Sequence, residues 1–173
     1  MESSKHDGDI VLLSCITKGA TAKASSTWKH DTRKFGPLNA LDKKSDAAWK
    51  SAPSDERNPL AFYEIYFQQP VNVRELRIQF QGGFVGTECT VFKKNHYIGI
   101  SEGGKWEEFE DLFVDPVETN EVQVFPAEEA ESGEFFSALR IEFERSTDFY
   151  GRIVIYSFEV WGYESPINMN NSF

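Results

Sequence analysis

Twenty-eight acids, three histidines and two cysteines are the groups in this chain that could carry proton or metal chemistry. His6, His30 and His96 stand apart in polar stretches, and none sits in a nucleophile–base pattern. No H-E-x-x-H, C-x-x-C or G-x-x-x-x-G-K-[ST] occurs. A glycosidase pair of carboxylates cannot be told from solvated acids by spacing along the chain. Cys15 and Cys89 are too few for a disulfide framework or a Cys-rich zinc site, and read as small apolar packing residues. The chain reads as a binding protein, not an enzyme.

Two blocks carry the remaining chemistry. The first is Asp31-Thr-Arg-Lys-Phe-Gly-Pro-Leu-Asn-Ala-Leu-Asp42, followed by Lys43-Lys-Ser-Asp46-Ala-Ala-Trp49-Lys-Ser51. A short helical turn at Pro37 to Leu41 leads into an acid, a polar loop and a large aromatic. That spacing lets Asp42 cap its own loop through backbone N–H groups while Trp49 packs beneath. The same oxygens offer a hard-cation alternative, with Asn39, Asp42 and Asp46 as calcium candidates. Calcium takes six to eight oxygens, so two acids do not establish a site, and no metal or other cofactor is expected.

The second block is Ser146-Thr-Asp148-Phe-Tyr-Gly-Arg152. Asp148 and Gly151 mark a turn, and Arg152 can clamp it through an acid or a carbonyl. Phe149, Tyr150 and Arg152 are the residue types favoured at the rim of a partner groove, and Arg33, Phe35 and Phe84 are candidates to join them.

The elements that must position these blocks have a period of two. Leu139, Ile141 and Phe143 alternate with Arg140, Glu142 and Glu144, which predicts a strand with one wet face. Val154 to Val160 is apolar on both faces and reads as a central strand. Tyr63, Ile65 and Phe67 make another, which Gln68-Gln-Pro70 is expected to close in a tight turn toward an antiparallel neighbour, Val71 to Gln81. That neighbour changes parity, from Val71 and Val73 to Leu76, Ile78 and Phe80, so a β-bulge is expected near Arg74-Glu75. Gly82-Gly83 ends it. Ile10 to Thr17, Cys89 to Lys94, Trp106 to Val114 and Glu121 to Phe125 are further strand candidates, and Lys93-Lys-Asn-His96 reads as a turn. About eight strands with little helix make an all-β, antiparallel β-sandwich.

The 173 residues hold one domain, expected over 10–164 between tails at 1–9 and 165–173. A net charge of -10 argues against a nucleic-acid partner. Residues 1–60 hold ten Lys/Arg against eight Asp/Glu, and twelve acids between Glu102 and Glu134 face only Lys105. That stretch reads as a solvated acidic face, or as a contact for a basic partner. No apolar run is long enough for a membrane span, and the polar start does not read as a signal peptide, so no membrane partner and an intracellular setting are expected.

Asp31-Thr-Arg-Lys-Phe-Gly36, the L-D-x(6)-W-x-S pattern at 41–51 and Ile78-Gln-Phe-Gln-Gly-Gly-Phe84 recur in order with Thr147-Asp-Phe-Tyr-Gly-Arg-Ile-Val-Ile-Tyr156 and Val160-Trp-Gly162. In this the chain resembles the nuclear receptor 2C2-associated protein family across roughly 10–164, with 87–134 matching poorly. The resemblance implies the discoidin, or coagulation-factor C-type, galactose-binding-like jelly roll. It implies a non-catalytic adaptor in the nucleus or cytoplasm, with a nuclear receptor or a multiprotein complex as partner. Relatives of the fold also include lectins and subunits of intracellular transport and ubiquitin-ligase complexes. Calcium-binding relatives carry a Gly where this chain has Lys43, a Thr where it has Ala47 and a Glu where it has Ser157. These departures speak against calcium. Cell-surface relatives carry a secretory signal and often a terminal disulfide, neither of which is expected here, so a small-molecule glycan is expected to be an unlikely partner.

Overall fold

The computed structural model describes residues 8–43, 46–54, 61–95, 104–128 and 134–166. His6, His96 and most of both expected tails lie outside these, as do parts of the acidic stretch. Nine strands are described: β1 Val11–Leu12, β2 Thr21–Ala24, β3 Trp49–Lys50, β4 Ala61–Phe80, β5 Gly86–Lys94, β6 Glu107–Glu108, β7 Val122–Pro126, β8 Phe136–Ser146 and β9 Val154–Glu164. Their pairings are antiparallel throughout. The fold is a β-sandwich of the jelly-roll kind.

β4 organises it. Its first part, Ala61 to Tyr66, pairs with β2 and β8, and its second, Val71 to Phe80, with β9 and β7. The expected turn at Gln68-Gln-Pro70 is therefore not a turn. The chain runs straight on and changes partners there, and the pairing with β8 shifts register between Tyr66 and Val71. Pro70 fits such a point because the ladder it would interrupt is already broken, while its carbonyl still accepts from the Ser165 N–H at 3.0 Å. The bulge expected near Arg74-Glu75 is present as the register shift between Val73 and Glu75 against β9. It puts Val71 and Val73 on the same side as Leu76, Ile78 and Phe80, and all five are buried.

The core lies between the layers. Tyr63 and Ile65 meet Leu139, Ile141 and Phe143 from β8 and Ile155, Phe158 and Val160 from β9, all essentially without exposed surface. Tyr63 stacks on Phe158 at 5.0 Å and meets Trp49 at a tilt, with ring centroids 5.2 Å apart. β9 is central, as its two apolar faces predict, with β1 and β3 on one side and β4 on the other.

Two expected strands are shorter than their apolar content predicts. In Ile10 to Thr17 only Val11–Leu12 pairs, because the Ser14 hydroxyl takes over as partner of β9. It accepts from the Val160 N–H at 2.9 Å and donates to the Phe158 carbonyl at 3.4 Å. In Trp106 to Val114 only Glu107–Glu108 pairs, since Phe109, Leu112 and Val114 are buried at a spacing a flat strand cannot satisfy. Ser14→Ala leaves the buried Val160 N–H without its acceptor and is expected to cost about 1–3 kcal/mol. Urea unfolding of the variant measures this, and a change below ~0.5 kcal/mol would mean another group takes the N–H.

Candidate functional site

Between β8 and β9 the chain turns a corner that is hydrogen-bonded almost residue by residue. Ser146 Oγ donates to the Arg152 carbonyl at 2.6 Å and accepts from the Asp148 N–H at 3.0 Å. Asp148 Oδ2 accepts from the Arg152 backbone N–H at 3.1 Å and from its Nε at 2.9 Å, and Oδ1 accepts from Nη2 at 3.3 Å. Those bonds hold the Asp148 carboxyl below its ordinary value, against the upward push of burial. Gly151 closes the turn at a φ of 75°, where a side chain would be strained. Its backbone also passes so close to Ser54 that a Cβ would sit 1.8 Å from Ser54 Oγ. The expected clamp is thus formed by Asp148 and Arg152.

A second loop reaches the same end. Trp49 is fully buried, and its indole N–H donates to the Ser26 carbonyl at 3.0 Å, while Ser26 Oγ accepts from the Ala52 N–H at 3.0 Å. Anchored there, the chain makes a tight turn through Trp28–His30, with Lys29 and His30 both left-handed at φ of 54° and 55°. For L residues such a conformation costs roughly 1–2 kcal/mol each, so the turn is held by what surrounds it. Asp31 then caps the short helix α1, Thr32–Phe35, accepting from the Lys34 N–H at 3.0 Å. Period two in β3 does the rest: Trp49 goes inward and Lys50 outward to the rim.

These pieces converge. The Arg152 guanidinium lies 5.2 Å from the Phe84 ring, 5.5 Å from Tyr150 and 5.6 Å from Trp28. The Lys50 ammonium lies 5.0 Å from Trp28, 5.7 Å from Phe35 and 5.9 Å from Phe84. Phe149 packs edge-on against Tyr150 at 5.3 Å, and the two are 93% and 60% exposed. Five of the six rim candidates, Phe35, Phe84, Phe149, Tyr150 and Arg152, therefore share one end. Arg33 is exposed on α1, and among the described residues no contact joins it to the group. Trp28 and Lys50 are the members that reading the sequence missed. A small hollow of about 30 Å³ beside Gly151, lined in part by Ser25, Ser26 and Ser54, adds hydroxyls at the edge.

The calcium candidates do not converge in this way. Asp42 and Asp46 line a cleft of about 460 Å³ against β9, where Lys43 pairs with Glu159 at 3.0 Å. The Asn39 amide is turned to the Lys34 and Ala48 carbonyls at 3.0 and 3.3 Å, tying α1 to β3. Among the described residues no three His, Cys, Asp or Glu side chains gather where a metal ion could sit. Burial pushes the Cys89 thiol up to about 12. The sequence also holds Gly99-Ile-Ser-Glu-Gly103, which has the spacing of a nucleophile elbow and lies outside the described residues. That motif needs a helix after the serine, whereas the next element among the described residues is the strand β6.

Among solved structures, the chain is similar to chitosan-binding module 1 of a Paenibacillus chitosanase/glucanase, at 16% identity and a TM-score of 0.65, covering 88% of this chain and 99% of that one. It is similar also to the family 32 carbohydrate-binding module of NanJ from C. perfringens in complex with galactose (12%, TM-score 0.58, 88% and 98% covered). An F5/8 type C domain from Bacteroides fragilis matches at 12% and a TM-score of 0.58, with 91% and 99% covered. These show the discoidin, galactose-binding-like fold. They also correct the expectation that a small-molecule glycan is an unlikely partner: the fold is shared with carbohydrate-binding modules. No protein-family model matches the chain. In sequence it is 31% identical over 152 residues to the nuclear receptor 2C2-associated protein of Xenopus laevis, covering 88% of this chain and all of that one. The Bos taurus protein of the same name is 32% identical over 151 residues, covering 86% and 95%. With relatives matched over nearly their whole length, the chain belongs to the nuclear receptor 2C2-associated protein family.

Proposed function

We propose that this protein is a non-catalytic binding module that takes a glycan at the sandwich end formed by Trp28, Phe84, Tyr150, Arg152 and Lys50. The observation that carries the reading is a pre-ordered set of rings, the half-buried Trp28 and Phe84 beside the exposed Tyr150, next to two cationic donors. Aromatic faces cover the C–H faces of a sugar, and fixed donors beside them read its hydroxyls. The likeness to carbohydrate-binding modules of the same fold supports it. Kinship to proteins named for a nuclear receptor supports an intracellular, nucleus-linked setting, and favours a receptor-derived protein segment as the second reading for the same end.

A glycan array probed with the wild type and with Tyr150→Ala tests this. Tyr150 is mostly exposed, so the variant is expected to keep its melting temperature within ~2 °C and to lose about tenfold or more in sugar affinity. Absence of any sugar signal from the wild type would end the glycan reading. Retention of a receptor fragment that Tyr150→Ala releases would favour the second one.

A further inference from the structure

Among the described residues, the cations at this end outnumber the acids, Asp31 and Asp148, opposite to the balance of the protein. The chain carries a net -10, yet Lys29, Lys34, Lys50 and Arg152 all lie within 6 Å of rings belonging to the cluster. Their use differs. Arg152 is already matched by Asp148, so its charge is largely spent on the corner and its guanidinium serves as a planar platform. Lys50 is half-buried, with rings of Trp28, Phe35 and Phe84 around its ammonium, and no described carboxylate pairs with it. An ammonium partly withdrawn from water among rings is stabilised by their faces and gains more from an anion than an exposed lysine would. Lys29 and Lys34 flank it on the same two rings, Trp28 and Phe35, and add to the local field.

We infer that the glycan bound here is acidic: a sugar carrying a carboxylate, sulfate or phosphate, with its ring on the Trp28–Phe84–Tyr150 surface and its anion on Lys50. The inference rests on the glycan reading above and narrows it. A neutral sugar would use the rings and leave Lys50 without a counterion among the described residues. A cationic sugar would be repelled.

A charge series on one sugar framework tests this. Galactosamine, galactose, galacturonate, galactose 6-sulfate and galactose 6-phosphate are titrated separately into the protein at low and physiological salt, with amide and indole NMR shifts as readout. The anionic sugars are expected to bind about tenfold tighter than galactose and galactosamine weakest, with the gap narrowing as salt rises. The three anions show which acidic group is preferred. Lys50→Gln removes the charge and leaves a polar side chain one atom shorter, and is expected to bring the whole series within about twofold, while Lys43→Gln, in the other cleft, leaves it unchanged. Galactose binding as tightly as the anionic sugars, or a Lys50→Gln series that keeps its order, would overturn the acidic reading and leave the glycan reading standing. No shift with any member of the series would sink both.

Discussion

Trp49→Ala is expected to cost about 3–5 kcal/mol of folding free energy, out of the 5–15 kcal/mol a domain usually has. The indole has no exposed surface, lies 5.2 Å from the Tyr63 ring and sits at the join between β9 and the loops of the binding end. Removing it leaves a cavity in the aromatic cluster of Trp49, Tyr63 and Phe158, and close-packed neighbours refill such a space only in part. It also strips the Ser26 carbonyl of its donor. Trp49→Phe separates the two effects, because it retains most of the packing and loses the hydrogen bond, for about 1–2 kcal/mol. Since Ser26 is the anchor of the Trp28–His30 turn, that milder variant is expected to lose sugar affinity while remaining folded. Urea titration of both variants, with sugar binding measured on Trp49→Phe, checks this. An alanine variant within ~1 kcal/mol of wild type would show that the loops, not the indole, carry the load.

The layout of the core was legible because it follows from pleat geometry alone. Strict alternation in Leu139–Phe143 and apolar residues on both faces of Val154–Val160 specify a half-wet strand and a central one, and the parity change before Leu76 specifies a bulge. Pro70 was misread for a physical reason. A proline beside two glutamines is compatible with a reversal and equally with a strand leaving one sheet for the other, and only the partners on either side distinguish them. The site divides along the same line. Tyr150 and Arg152 stand in a turn and Phe84 follows the Gly82-Gly83 pair, so residue type and position were enough to group them as candidates. Lys50 was within reach of the alternation rule, since an inward Trp49 forces it outward. Trp28 had no such signal: its place depends on a Trp49–Ser26 bond between residues 23 apart. Asn39 looked like a metal ligand by type, and the loop uses its amide to tie two carbonyls together instead.

Asp148→Asn is expected to remove about 1–3 kcal/mol at neutral pH, and the size of that loss should depend on pH in one direction. Asp148 is mostly covered and meets Arg152 through three hydrogen bonds, two from the guanidinium and one from the backbone. These favour the ionised carboxyl, so the folded protein holds it below the value it has in the unfolded chain. A group lowered in this way contributes its full stability above the unfolded value, near ~3.9, and loses it as the pH falls through the folded one. Wild type and Asp148→Asn should therefore differ by a constant amount from pH 7 to 5 and converge below pH ~4. Urea midpoints at pH 7, 5 and 3 measure the gap, and an equal gap at all three would mean that the charge on Asp148 is not what the corner uses. The same substitution tests the division of labour at the binding end. With its partner neutralised, Arg152 loses the contact that fixes it among Phe84, Tyr150 and Trp28, so galactose affinity should fall. The advantage of galacturonate over galactose, which belongs to Lys50, should survive.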